Sequence, residues 1–226
     1  MYFSQSTVAI LTLALAHFGA GAAIEKRAAC TSYTIISTRG TGEAQGPSAG
    51  FRTMNARILA QVPGGKIYNT VYPAGADQNS ASGTQDIINK VQSTLATNPS
   101  ECFILEGYSQ GAAATDDALP RLTGAAFTAV RGVFLIGDPE HHSGLACNVD
   151  NNGGTTTRNV NGLSAYKAGV PANWVSKTLD VCILGDGVCD TRDGVGITLQ
   201  HLQYGSDAPT QNLGTSFVVG RLQAAS

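Results

Sequence analysis

Charge is scarce in this chain: Asp, Glu, Lys and Arg together make up 13% of its 226 residues. Solubility is left to Ser, Thr, Asn, Gln and Gly, and a surface so lightly charged is compatible with work against an apolar phase. There is no basic excess either. The formal net charge is −2, which argues against nucleic acid as a partner, because phosphate binding wants a positive face. No open N-x-S/T acceptor exists, since Pro99 blocks Asn98-Pro99-Ser100. No pair of cysteines has the short spacing of a zinc knuckle, so no metal site is expected. Only one long apolar run is present, Val8 to Ala16, and it is too short to span a bilayer comfortably. With no second run, no membrane anchor is expected. Internal repeats and low-complexity tracts are missing as well.

That one run reads as the core of a signal peptide over residues 1–22, closed by the small residues Ala20-Gly21-Ala22. Lys26-Arg27 follows as a dibasic processing site, so residues 23–27 form a short pro-segment and residues 28–226 one domain. A domain of that length buries a sizeable core. It carries 12 basic against 15 acidic residues. A secreted, extracellular monomer is expected, and secretion favours disulfides. Of the five cysteines, Cys182 and Cys189 are close enough to close a small loop. Cys30 and Cys102 each precede a predicted strand, so they could meet at one edge of a parallel sheet. Cys147 is left as a buried free thiol.

Strand and helix signals alternate, which favours a parallel sheet with helices on its faces. Strands are expected at 33–36, 66–72, 103–105, 132–136 and 179–184. Phe51, Met54, Ile58 and Val62 recur at helical spacing before Pro63-Gly64-Gly65. Thr84 is expected to cap a helix carrying Ile87, Val91 and Leu95, which Pro99 stops. Further helices are expected at 109–119 and 214–223. The Asn-, Gly- and Thr-rich stretch 148–161 reads as an ordered surface loop.

Between the third strand and its helix lies Gly107-Tyr108-Ser109-Gln110-Gly111. A G-x-S-x-G sequence there can present one serine hydroxyl, exposed at the top of the sheet. By itself the motif is common, and its serine could merely cap the next helix. A nucleophilic serine needs a histidine base and a carboxylate behind it, in the chain order Ser, acid, His. His201 comes late enough. His141 and His142 read as an exposed polar pair. For the acid, Asp186 follows a strand and sits inside the Cys182–Cys189 loop; Asp138, at the end of the fourth strand, is the alternative. Asp190 and Asp193 read as solvated loop charges. An oxyanion would be met by the amide of Gln110 and by a second donor after the first strand, where Thr41 stands in Thr38-Arg39-Gly40-Thr41-Gly42-Glu43.

Together these pieces resemble the fungal cutinase family. The motifs are Arg39-Gly40-Thr41-Gly42-Glu43, the serine motif, Cys182-x-x-x-Asp186-x-x-Cys189 and His201-Leu202-x-Tyr204. Gly50 to Asn55 and Asn173 to Asp180 are similar to the cutinase-like enzymes secreted by basidiomycete yeasts. Thr41 stands where plant-pathogen cutinases carry serine, as in the yeast group. The resemblance implies a compact, lidless α/β-hydrolase with a central five-stranded parallel sheet and helices on both faces. It implies Ser109, Asp186 and His201 as triad, Thr41 and Gln110 as oxyanion hole, and both disulfides. Val195, Ile197 and Leu202 would form an apolar rim for acyl chains. No metal or organic cofactor is implied. The expected activity is hydrolysis of cutin-like polyesters, short to medium acyl esters and aliphatic synthetic polyesters. An acetylxylan-type carbohydrate esterase is a second reading, and a non-catalytic secreted interaction protein is a third.

Overall fold

A computed structural model describes Met1 and residues 29–224 of the chain. Apart from Met1, the expected signal peptide and pro-segment lie outside the described residues. The elements run β1 (Tyr33–Thr38), α1 (Arg52–Gln61), β2 (Gly65–Asn69), α2 (Ala81–Thr97), β3 (Cys102–Tyr108), α3 (Gln110–Ala118), α4 (Ala125–Ala129), β4 (Val130–Ile136), β5 (Asn148–Val149), β6 (Thr178–Val181) and α5 (Ala208–Gln223). They build one sheet in the order β2-β1-β3-β4-β6-β5, with every pairing parallel.

Both faces of that sheet are covered, which is why β1 and β4 are buried along their whole length. Alternate residues feed two cores. Ile36, Leu105, Val133 and Leu135 pack with Ile87, Ile88 and Val91 of α2 and with the alanines of α3. Ile35, Ile104, Phe134 and Ile136 pack on the other face with Met54 and Ile58 of α1 and Val218 and Leu222 of α5. The chain leaves β1 toward β2 on one side and returns to β3 on the other. That reversal opens a crevice at the carboxyl ends of β1 and β3, where open α/β sheets place their ligands.

The sheet has six strands, not five. The addition is β5, two residues long, which pairs with β6 through Asn148 and Val149. It lies in the Asn- and Gly-rich stretch and has no apolar run to announce it. That stretch is also less superficial than its composition suggests, since Asn148, Asp150, Thr157 and Val160 are buried. β2 stops at Asn69: Thr70 N still donates to Ser37 O of β1, but Val71 N turns away to the Asp86 carboxylate. Thr84 is not a cap but lies inside α2, its hydroxyl donating to Ala114 O of α3. α5 begins six residues earlier than its apolar pattern, because Asp207 caps it by accepting from Thr210 N at 2.9 Å.

Both expected disulfides form, Cys30–Cys102 and Cys182–Cys189, and Cys147 is a buried free thiol. Cys30 and Cys102 stand at the amino ends of β1 and β3. There Cys30 N also donates to Leu222 O of α5 at 3.0 Å. Among the described residues no helix is long and apolar enough to cross a membrane.

Candidate active site

Ser109 sits in the one-residue elbow between β3 and α3 with φ 56° and ψ −121°. L-residues rarely adopt such a conformation, and here the surroundings over-determine it. A Cβ on Gly107 would come within 2.6 Å of Ala112 Cα, and one on Gly111 would strike the Thr38 and Arg39 carbonyl oxygens. The two glycines therefore let α3 start directly against the end of β1. Ser109 N donates to Ile136 O at 3.0 Å, which pins the elbow to β4.

The sheet and a distant loop bring three sequence-selected residues together. His201 Nε2 lies 2.9 Å from Ser109 Oγ, and His201 Nδ1 lies 2.9 Å from each oxygen of Asp186. Asp186 is fully buried and His201 nearly so, while Ser109 is half-buried at the cleft. The Asp186 carboxylate accepts two more hydrogen bonds, from Val188 N at 2.9 Å and from the Tyr204 hydroxyl at 2.6 Å. Tyr108 donates to His201 O at 2.7 Å and holds the base's backbone. Sequence reasoning assigned no role to either tyrosine, although both stand within motifs it singled out.

Thr41, Ser109 and Gln110 line one cleft of about 360 Å³. Gln110 is the first residue of α3, so its N–H has no intrahelical acceptor. Thr41 Oγ1 lies within hydrogen-bond reach of the Gln78 amide group, a residue the sequence did not single out. Ile197 lines the cleft opposite, with Leu163, Tyr166 and Val188. Val195, Ile197 and Leu202 are 74%, 68% and 63% exposed. Of these three only Ile197 lines the cleft; Val195 and Leu202 are not among its lining residues. Among the described residues no cluster of ligating side chains suited to a metal ion occurs.

Three expectations are corrected. His141 is buried, not exposed: its Nδ1 meets Asp180 Oδ2 at 2.5 Å and its Nε2 meets Thr157 O at 3.0 Å. His142 is half-buried against Lys167 O. Asp190 is buried too, held by Gly185 N and by Arg192 in a two-pronged contact. Folding of the loops after β4 and β6 over the sheet draws these groups inward. Asp138, the alternative acid, belongs to another buried group, with Asp116 of α3, Asp180 of β6 and His141.

In that group burial raises the Asp138 and Asp116 carboxyls well above the ordinary range, and the nearby Asp180 carboxylate adds to it. Burial alone would lower His141, but the Asp180 carboxylate outweighs it and carries the imidazole up to about 9. Elsewhere burial pushes Glu106 up to about 8. All four groups hold protons that the unfolded chain releases at lower pH, so what they contribute to stability falls as pH rises. The carboxyls begin the loss above roughly pH 4 and His141 continues it from roughly pH 6.5. Its contribution is gone once the pH passes about 9. The melting temperature is expected to be several degrees lower at the alkaline end than near pH 5, a slope that differential scanning calorimetry checks.

The profile of the Cutinase family matches residues 29–222. The chain belongs to the cutinase family. It is a serine carboxylic ester hydrolase. A solved cutinase-like protein from Cryptococcus sp. is 62% identical, with a TM-score of 0.85 over 89% of this chain and 100% of that one. The cutinase of Monilinia fructicola is 27% identical over 91% of this chain and 92% of its own. The catalytic core of an acetyl xylan esterase from Trichoderma reesei is 26% identical, with a TM-score of 0.72 over 85% of this chain and 100% of that one. The family resemblance drawn from four sequence motifs thus agrees with the match over the whole domain.

Proposed function

We propose that this cutinase-family enzyme is secreted as a monomer without a membrane anchor and cleaves aliphatic polyesters and short to medium acyl esters through an acyl-enzyme on Ser109. The observation that carries the reading is the unbroken contact from Ser109 Oγ through His201 to the buried Asp186. His201 Nε2 takes the hydroxyl proton as Ser109 attacks the ester carbonyl, and Asp186 stabilises the imidazolium. The amides of Thr41 and Gln110 meet the developing oxyanion, each donor worth about 3 kcal/mol. His201 then gives its proton to the leaving alcohol, and water repeats the sequence on the acyl-enzyme. The solvent-facing Val195, Ile197 and Leu202 favour an acyl or polyester substrate over an acetylated sugar.

The test is a phosphonate ester carrying an alkyl chain, followed by peptide mapping, alongside a hydrolysis profile. The adduct is expected on Ser109. Rates are expected to persist from butyryl toward medium-chain p-nitrophenyl esters and on a film of aliphatic polyester. An acetyl-only profile with activity on acetylated xylan would instead select the carbohydrate-esterase reading. An unlabelled, inactive protein would sink the catalytic reading altogether.

A further inference from the structure

Tyr204 lies three residues beyond the base and is fully buried. Its hydroxyl has three neighbours: it donates to Asp186 Oδ2 at 2.6 Å, accepts from Ile183 N at 3.1 Å and lies 3.5 Å from Cys189 Sγ. Its ring packs edge-on against both His201 and Tyr108. Its own backbone is anchored, because Gln211 Nε2 of α5 donates to Tyr204 O at 2.8 Å while the same side chain ties Gly50 O and Met54 N at the start of α1. The phenol therefore joins the acid, the disulfide-closed loop and the α1–α5 layer at one point.

We propose that Tyr204 is a positioning residue for the reaction: its hydroxyl holds Asp186 in register with His201 and draws off part of the carboxylate's charge, which sets the pH at which His201 becomes free to act as base. The inference rests on the triad reading above. Burial and the neighbouring carboxylate raise the phenol well above its ordinary range, so it stays a donor wherever the enzyme works. The other titratable groups around it are placed so that they do not substitute for it. Asp190 is engaged by Arg192, Asp180 faces His141, and Tyr108 is turned to the His201 carbonyl. Without the phenol, Asp186 concentrates its charge on the imidazolium and a larger share of enzyme stays protonated at a given pH.

The test is Tyr204→Phe, which keeps the ring and removes the donor. Hydrolysis of p-nitrophenyl butyrate is followed from pH 4 to 9 beside the parent and Ser109→Ala. The acid limb of kcat/KM is expected to move up by about half a pH unit, kcat to fall about tenfold, and KM to stay within about twofold. Should Tyr204→Phe not fold, 3-fluorotyrosine placed at position 204 alone, an isosteric and stronger donor, is expected to move the limb down by about 0.2 units. An unmoved limb in the variant that folds overturns the inference and leaves Tyr204 as packing. Activity surviving in Ser109→Ala would overturn the triad reading instead, so the two failures are distinguishable.

Discussion

Ser109→Ala is expected to lower kcat for p-nitrophenyl butyrate by about 10^5- to 10^6-fold while the protein remains folded. The loss is large because the hydroxyl is the only atom the mechanism has for forming the acyl-enzyme. Its removal costs the fold little: one hydrogen bond to His201 is lost, while Ser109 N keeps Ile136 O and the glycines on either side keep the elbow. Alanine inherits the same φ of 56° and adds no atoms, so the melting temperature should stay within a few degrees. His201→Ala should cost nearly as much, and the double variant hardly more, because the two act as a unit. Residual turnover above the uncatalysed rate would come from the amides of Thr41 and Gln110. Steady-state kinetics with the melting temperature measured in parallel checks all of this. A loss under about 100-fold would remove Ser109 from the role.

Asp186→Asn is expected to lower kcat by about 10,000-fold with KM changed by less than about threefold. Volume is conserved, but the donor–acceptor pattern is not. Val188 N and the Tyr204 hydroxyl both donate to this carboxylate, so the two oxygens are already spoken for before His201 is counted. An amide brings an N–H₂ group that faces a donor whichever way it turns. If it turns toward His201 Nδ1, the ring must keep its proton on Nε2, pointing at Ser109 Oγ, and can no longer accept the serine proton. Stability should fall as well, by about 1–3 kcal/mol, through the unsatisfied buried donor. A rate loss with unchanged KM separates this tautomer effect from a deformed cleft.

Much of the fold was legible because burial on both faces leaves a plain mark. The runs Phe103 to Leu105 and Gly132 to Ile136 are apolar without alternation, and each is a central parallel strand. Ser109 was legible for a similar reason, since it follows β3 directly, whereas β6 ends at Val181, short of the expected 184, and Asp186 lies in the disulfide-closed loop beyond it. Features set by partners remote in sequence were not. β5 exists because β6 offers it a ladder, and Asn148-Val149 says nothing of that by itself. His141 looks like a surface residue until Asp180, 39 positions away, is folded against it. Tyr204 stood in a recognised motif, yet its contact with Asp186 depends on how the loop closed by Cys182 and Cys189 lies over the sheet.

The bond from Cys30 N to Leu222 O, beside the Cys30–Cys102 bridge, has a practical side. It gathers the first and last turns of the domain at the amino ends of the strands, a full strand length from Ser109 at the carboxyl end of β3. A linker joined beside Cys30 or Ala224 therefore holds the domain from the side opposite its cleft.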